Sequence, residues 1–275
     1  MSGYEDKLLK LEEQIVGKRS VLIAFSGGID STLLAIIAKR VLGSDHLCVL
    51  VNSPLVPKED VKRALEIAKE YGLNLKVVEH DPLSIPAVKQ NAEDRCYHCK
   101  KGICRILKEI ANEHNIETIM DGTNMSDLGE YRPGTKATSE EGVVHPFIDA
   151  GIAKDDIRQI AKDIDLAIWD LPSSACLASR IPYNETIELS MLKIIDEGEA
   201  FLHDLDFKRC RLRLHNAGEM GRIEVPEDGF EKLILERDAI VQRLKGLGVQ
   251  YVALDLNGYQ SGSFDKTRGS QIFNG

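Results

Sequence analysis

The stretch at residues 21–34, VLIAFSGGIDSTLL, leaves a chain few ways to fold. Val21, Leu22, Ile23, Ala24 and Phe25 form an apolar, partly β-branched run, the mark of a buried strand. Ser26, Gly27 and Gly28 then force a turn. Asp30 and Ser31 stand where a helix would begin, and residues 32–41 are strongly apolar. Strand, glycine turn and helix start together make an anion site. The first N–H groups of a helix lack intrahelical partners, and its dipole adds positive partial charge. The two glycines let a phosphate approach the backbone closely. The hydroxyls of Ser26, Ser31 and Thr32 offer further hydrogen bonds.

The following residues extend the same architecture. A lead-in helix covers residues 4–16, a second buried strand is predicted at residues 47–51, and further strands at 75–78 and 116–120. Helices are predicted from Pro57 to about Tyr71, over about 99–114 and over 154–164, with residues 81–94 irregular. Such alternation indicates an α/β fold with a doubly wound parallel sheet. Ligands of these sheets bind outside the strand carboxyl ends. The glycine loop, Asn52 with Ser53, and Asp121-Gly122-Thr123-Asn124 all follow strands at that edge. Residues 127–146, with Arg132, Lys136 and His145, read as a long functional loop. After Pro172 the style changes. A helix to about Leu205, a strand at 211–215, a partner at 222–225, a helix over 230–247 and a strand at 251–256 form a second, smaller α+β domain. The expected division is residues 1–175 and residues 176–275, with the tail from Gly258 fraying.

Charge narrows the function. With 35 basic and 44 acidic residues the net charge is −9. No nucleic-acid partner is expected of such a surface. No apolar run approaches the ~18 residues that cross a membrane, and the acidic amphipathic N-terminus is no signal peptide. A cytoplasmic protein is expected. In that setting six cysteines suggest thiol or metal chemistry before disulfides.

The cysteines sort by context. Cys96 and Cys99 form a C-x-x-C around His98, which reads as an exposed loop residue. Cys48, Cys104 and Cys210 read as small buried hydrophobes. Cys176 lies in a polar, proline-flanked segment ahead of Arg180. With Cys96 and Cys99 it would give three thiolates, a donor set that selects zinc or an iron–sulfur cluster. Lys154 and Arg158 open a helix and could face a pyrophosphate leaving group. Arg211 and Arg213, two apart on a strand, share a face and could hold a phosphate.

The loop S-G-G-x-D-S lacks the Walker lysine and is not G-x-G-x-x-G. It resembles the PP-loop of ATP pyrophosphatases, which grip the β- and γ-phosphates while the α-phosphate is attacked. SGGIDST, DGTNMSD, YRPGTKA, AKDDIR, CLASRIPY, RLRLHN and RIEVP follow in order along almost the whole chain. Together they resemble the LarE-type ATP-dependent sulfur transferases that make the nickel-pincer nucleotide of lactate racemase. The resemblance implies an adenine nucleotide hydrolase-like PP-loop domain using ATP and Mg²⁺. It implies adenylation of a carboxylate of pyridinium-3,5-biscarboxylate mononucleotide, a small-molecule nucleotide, and replacement of AMP by sulfur. ATP-side residues would be Ser26, Gly27, Gly28, Asp30, Ser31, Thr32, Asn52, Gly122 and Lys154. Cys176, Asp30 and Lys154 would be catalytic. Arg180, Arg211, Arg213 and Glu224 would face the substrate, and Cys96, Cys99 and Cys176 would hold a [4Fe–4S] cluster with one open iron carrying sulfide. A homo-oligomer is expected. One departure is Gly221, where the family usually has Ala, in a longer turn.

Other readings fit the same residues. Cys176 could sacrifice its own sulfur. Zinc could replace the cluster. A tRNA thiolase, an amide-forming synthetase like those making GMP or NAD, or a non-enzymatic nucleotide-binding module could carry the same loop. The thiolase needs a basic RNA surface, and the synthetase has no need of three thiols.

Overall fold

In the computed structural model, which describes residues 4–129 and 133–260, the chain divides into two units. One comprises Met1–Pro82 and Asp94–Ser174, the other Leu83–Glu93 and Ala175–Gly275. The elements in chain order begin with α1 (Glu5–Val16), β1 (Val21–Phe25), α2 (Ile29–Leu42), β2 (His46–Asn52), α3 (Lys58–Glu70) and β3 (Leu75–Glu79). The short α4 (Pro86–Lys89) lies in the second unit. Then come α5 (Arg95–Glu113), β4 (Thr118–Met120), α6 (Pro133–Glu140), α7 (Pro146–Asp149) and α8 (Lys154–Asp163).

The first unit's strands form one parallel sheet in the order β3-β2-β1-β4. Alternate β1 residues feed opposite layers. Val21, Ile23 and Phe25 pack with Leu11, Leu33, Ile37 and Ile157. Leu22 packs with Leu47, Cys104, Leu107 and Ile110. Both sheet faces are therefore covered, as a doubly wound fold requires. The strand order reverses beside β1, and ligand crevices form at such switch points. The loops after β1 and β4 flank that point.

Two stretches differ from expectation. Residues 127–146 are not one long loop: a 3₁₀ turn (Met125–Gly129), α6 and the start of α7 occupy them. The α6 sequence PGTKATSE carries almost no large apolar residue, so no helical period was visible. Residues 81–94 hold a 3₁₀ turn (Pro82–Ser84) and α4 instead of being irregular throughout. Arg132 and residues 261–275, most of the tail expected to fray, lie outside the described residues.

The second unit continues with α9 (Leu189–Asp204), β5 (Arg211–His215), β6 (Met220–Glu224), α10 (Phe230–Leu235), α11 (Arg237–Gly246) and β7 (Tyr251–Leu254). Its sheet runs β5-β6-β7, with β5 antiparallel to β6 and β7 parallel to β6. Leu212 and Leu214 are buried on one face, while Arg211, Arg213 and His215 alternate onto the other. Gly221 is explained by packing: a Cβ there would lie 3.1 Å from Leu212 Cδ1 and 3.2 Å from Val249 Cγ1. The single helix expected over 230–247 breaks at Glu236. The Leu83–Glu93 segment is bound in by Asn91, whose Nδ2 donates to the carbonyls of Ile181 (3.1 Å) and Pro182 (2.7 Å). Among the described residues no helix is long and apolar enough to cross a membrane.

Candidate active site

The glycine loop lies between Phe25 and α2. Gly27 has φ +69°, and a Cβ on it would fall 2.6 Å from Ala64 Cβ on α3, so only glycine fits. The first bond of α2 runs from Thr32 N–H to Gly28 O at 3.0 Å. The N–H groups of Ile29, Asp30 and Ser31 precede it, the usual donors of a helix-start anion site. Hydroxyls brace the loop: Ser31 Oγ lies 3.1 Å from Ser26 Oγ and accepts from Ser26 N–H at 3.2 Å. Thr32 is buried, and its Oγ1 has no hydrogen-bond partner among the described residues.

Asp30 gathers the surrounding loops. Lys154 Nζ, on the first residue of α8, donates to Asp30 Oδ2 at 2.6 Å. Asn124 Nδ2 donates to Asp30 Oδ1 at 3.4 Å. Lys154 N–H in turn donates to Ser126 Oγ at 3.1 Å. Gly122 lets the strand β4 loop approach: a Cβ would sit 2.9 Å from Ser31 N and 3.0 Å from Asp30 Cβ. Asn52, at the end of β2, donates instead to Glu79 at 2.8 Å. The Asp30 carboxylate is partly exposed and is the donor type that Mg²⁺ takes, with its two oxygens accepting from Lys154 and Asn124 here.

The structure adds Arg63, Asp60 and Ser174, which the sequence did not single out. Arg63 on α3 donates to Gly27 O at 3.4 Å and to Asp60 at 2.6 Å. Ser174 donates to the same Asp60 carboxylate. Asp121 accepts from His145 Nδ1 at 2.8 Å and from Thr123 N–H at 3.0 Å. Burial alone would raise the Asp121 carboxyl, but the His145 hydrogen bond and the charges of Lys100 and His145 outweigh it and hold it low. The same hydrogen bond, against burial, raises His145. The sequence named both residues but not their pairing, which spans 24 positions.

The cysteines divide by exposure. Cys48, Cys104 and Cys210 are buried, and burial pushes the thiols of Cys48 and Cys210 up to about 12 and raises that of Cys104. Cys96 and Cys176 are exposed and Cys99 is half-buried. Since α5 begins at Arg95, Cys96 and Cys99 stand one helical turn apart, not in a loop. His98 also lies on that helix, 3.0 Å from Asp94 through Nε2. Cys176 precedes a 3₁₀ turn (Leu177–Arg180) in the second unit. Cys96 and Cys99 in the first unit, and Cys176 in the second, are each thiols of the donor type that a thiolate-selecting group takes. Among the described residues no three His, Cys, Asp or Glu side chains form a ready metal-holding group.

The arginines also divide. Arg180 and Arg213 are buried, and Arg211 is half-buried with its guanidinium 5.3 Å from the centre of the Tyr259 ring. Arg180 Nε and Nη2 donate to Glu199 at 3.0 and 2.7 Å. Arg213 Nε pairs with the buried Glu224. Arg222, directly opposite Arg213 across the strands, bonds Asp255 and reaches Glu224 at 3.3 Å.

Comparison with known proteins places these features among relatives. Residues 5–115 match the family model of NAD synthase. The pyridinium-3,5-bisthiocarboxylic acid mononucleotide synthase of Lactiplantibacillus plantarum is 36% identical, over 97% of this chain and 96% of that protein. Uncharacterized proteins of Synechocystis sp. (34% identical, 95% of this chain and 98% of the relative) and Methanocaldococcus jannaschii (35%, 93% and 98%) also align along nearly the full length.

Proposed function

Because the chain belongs to the LarE-type family of pyridinium-3,5-bisthiocarboxylic acid mononucleotide synthases, PP-loop enzymes that use ATP to transfer sulfur, we propose that it thiolates pyridinium-3,5-biscarboxylate mononucleotide. The observation that carries this reading is the convergence of Asp30, Lys154 and Asn124 on the glycine loop at the sheet's switch point.

A carboxylate is a poor electrophile and must be activated first. The loop N–H groups and the Ser26, Ser31 and Thr32 hydroxyls hold the β- and γ-phosphates. A carboxylate oxygen of the acceptor attacks the α-phosphorus, the bond to the bridging oxygen breaks, and pyrophosphate leaves. Lys154 stabilises the charge that develops on that leaving group. Mg²⁺, held through Asp30, would supply further charge neutralisation. Hydrosulfide then adds to the acyl carbon, the bond to AMP breaks, and the thiocarboxylic acid gives its proton to water. Cys96, Cys99 and Cys176 would hold a [4Fe–4S] cluster that, when bound, presents the sulfide. Arg211 holds the acceptor's phosphate from the polar face of the small sheet.

A second reading, sulfur drawn from Cys176 itself, is favoured by that cysteine's exposure. Incubation with ATP and the biscarboxylate nucleotide tests both. AMP, pyrophosphate and a thiocarboxylate are expected, and ADP with phosphate would overturn the assignment. A brown, oxygen-sensitive protein with about four irons supports the cluster. Loss of one H₂S from Cys176 after a single turnover supports the sacrificial route instead.

A further inference from the structure

The chain around Cys176 is held by side chains that a reading of motifs assigns to substrate. Arg180 is 2% exposed and Arg213 is 4% exposed. Arg180 Nη1 donates to the carbonyls of Ala175 (2.6 Å) and Cys176 (3.1 Å) and to Ser179 Oγ (3.0 Å). Arg213 Nη1 donates to Ser179 O at 2.8 Å. Each guanidinium is fixed from behind by a buried carboxylate. Glu199 on α9 takes Arg180, and its Oε1 also accepts Leu212 N–H of β5 at 2.9 Å. Glu224 on β6 takes Arg213. Two ion pairs anchored on three elements thus end on three carbonyls of one five-residue segment, with Cys176 second in it.

We propose that Arg180 and Arg213 are positioning residues that clamp the main chain of residues 175–179 and so fix the Cys176 sulfur, leaving acceptor binding on this face to Arg211. A guanidinium suits the task, since its rigid fork serves a carboxylate and carbonyls at once. A lysine ammonium keeps the charge but cannot span both sets of partners. The proposal deepens the thiolation reading and rests on a role for Cys176 in sulfur delivery.

The test uses the full-length chain as purified, with Arg180→Lys, Arg213→Lys and Arg211→Lys compared in parallel. Hydrogen exchange over residues 175–181, where Ser179 N–H bonds Cys176 O and Ile181 N–H bonds Ala178 O, is expected to rise about fivefold or more in the first two and stay unchanged in the third. Their kcat is expected to fall about tenfold or more with KM for the nucleotide within about twofold, while Arg211→Lys raises KM. A raised KM in Arg180→Lys or Arg213→Lys with unchanged exchange would make them substrate ligands and overturn the clamp. Unchanged kcat would overturn it too. If Arg180→Lys also exposes α9 to exchange, Ser179→Ala, which removes only one acceptor of Nη1, carries the test by the same criteria. Wild-type chain that yields no thiocarboxylate refutes the function instead, and the exchange measurement still decides the clamp.

Discussion

Lys154 and Asp30 lie 124 positions apart and 2.6 Å from each other. Their roles separate by substitution. Lys154→Ala should lower pyrophosphate release by about 10²–10³ in kcat, the usual loss for one stabilising donor, with ATP still bound. Asp30→Ala should abolish turnover. Another residue carries backbone strain: Ala217 has φ +53° and ψ +31° in the turn between β5 and β6. Left-handed geometry costs a non-glycine residue about 1–2 kcal/mol, part of which glycine returns through the entropy it loses on folding. Ala217→Gly should therefore stabilise by about 0.5–1 kcal/mol, read as a higher urea midpoint. Residues of this kind differ in legibility. Asp30 and Cys176 stand in contiguous motifs, so sequence spacing revealed them. Arg63 and Glu199 act through contacts 36 and 19 positions away, and nothing local marks them.

Between elements, the Asp121–His145 bond ties the end of β4 to the residue that opens α7. Its pH dependence has a definite sign. His145 is raised, so its contribution is full below the ordinary histidine value of about 6.5 and is lost as pH rises through the folded value. Asp121 is lowered, so its contribution is present above the ordinary carboxyl value of about 4 and is lost as pH falls through the depressed one. The pair supports the loop best between those limits. Followed from pH 6 to 9, the thermal stability that the wild type holds over His145→Gln should shrink as pH rises. An equal slope in both would remove the bond from the account. Strands were legible as apolar runs: β1, β2 and β3 were predicted to within a residue at each end, although only β1 and β2 are buried. α6 was missed because PGTKATSE is small and polar, and the break at Glu236 was missed because an apolar pattern continues across it.

At the scale of the molecule, each unit is built from two separate stretches of chain. Asn91 shows the cost of the arrangement. It is fully buried at φ +53°, and its amide closes on two carbonyls about ninety positions ahead. Asn91→Ala leaves those carbonyls without that donor, and a loss of about 2–3 kcal/mol is expected for buried groups so treated. Urea unfolding followed by probes in each unit checks it, and an unchanged midpoint would reject it. The composite make-up was not legible, since LSIPAVKQNAE reads as an ordinary connection and its partners lie a third of the chain away.

The same layout has a consequence during synthesis. When Asn91 leaves the ribosome, the carbonyls of Ile181 and Pro182 have not been made. At about 5–20 residues per second, the ninety-residue interval lasts about 5–20 s. The strands of the first sheet are complete by Met120 and can pair in that time. The 83–93 segment must meanwhile wait, tethered between β3 and α5, for a unit whose last strand ends at Leu254. A ribosome stalled near residue 180 should therefore carry a protease-resistant first sheet and a cleavable 83–93 link, and release of the finished chain should close that link.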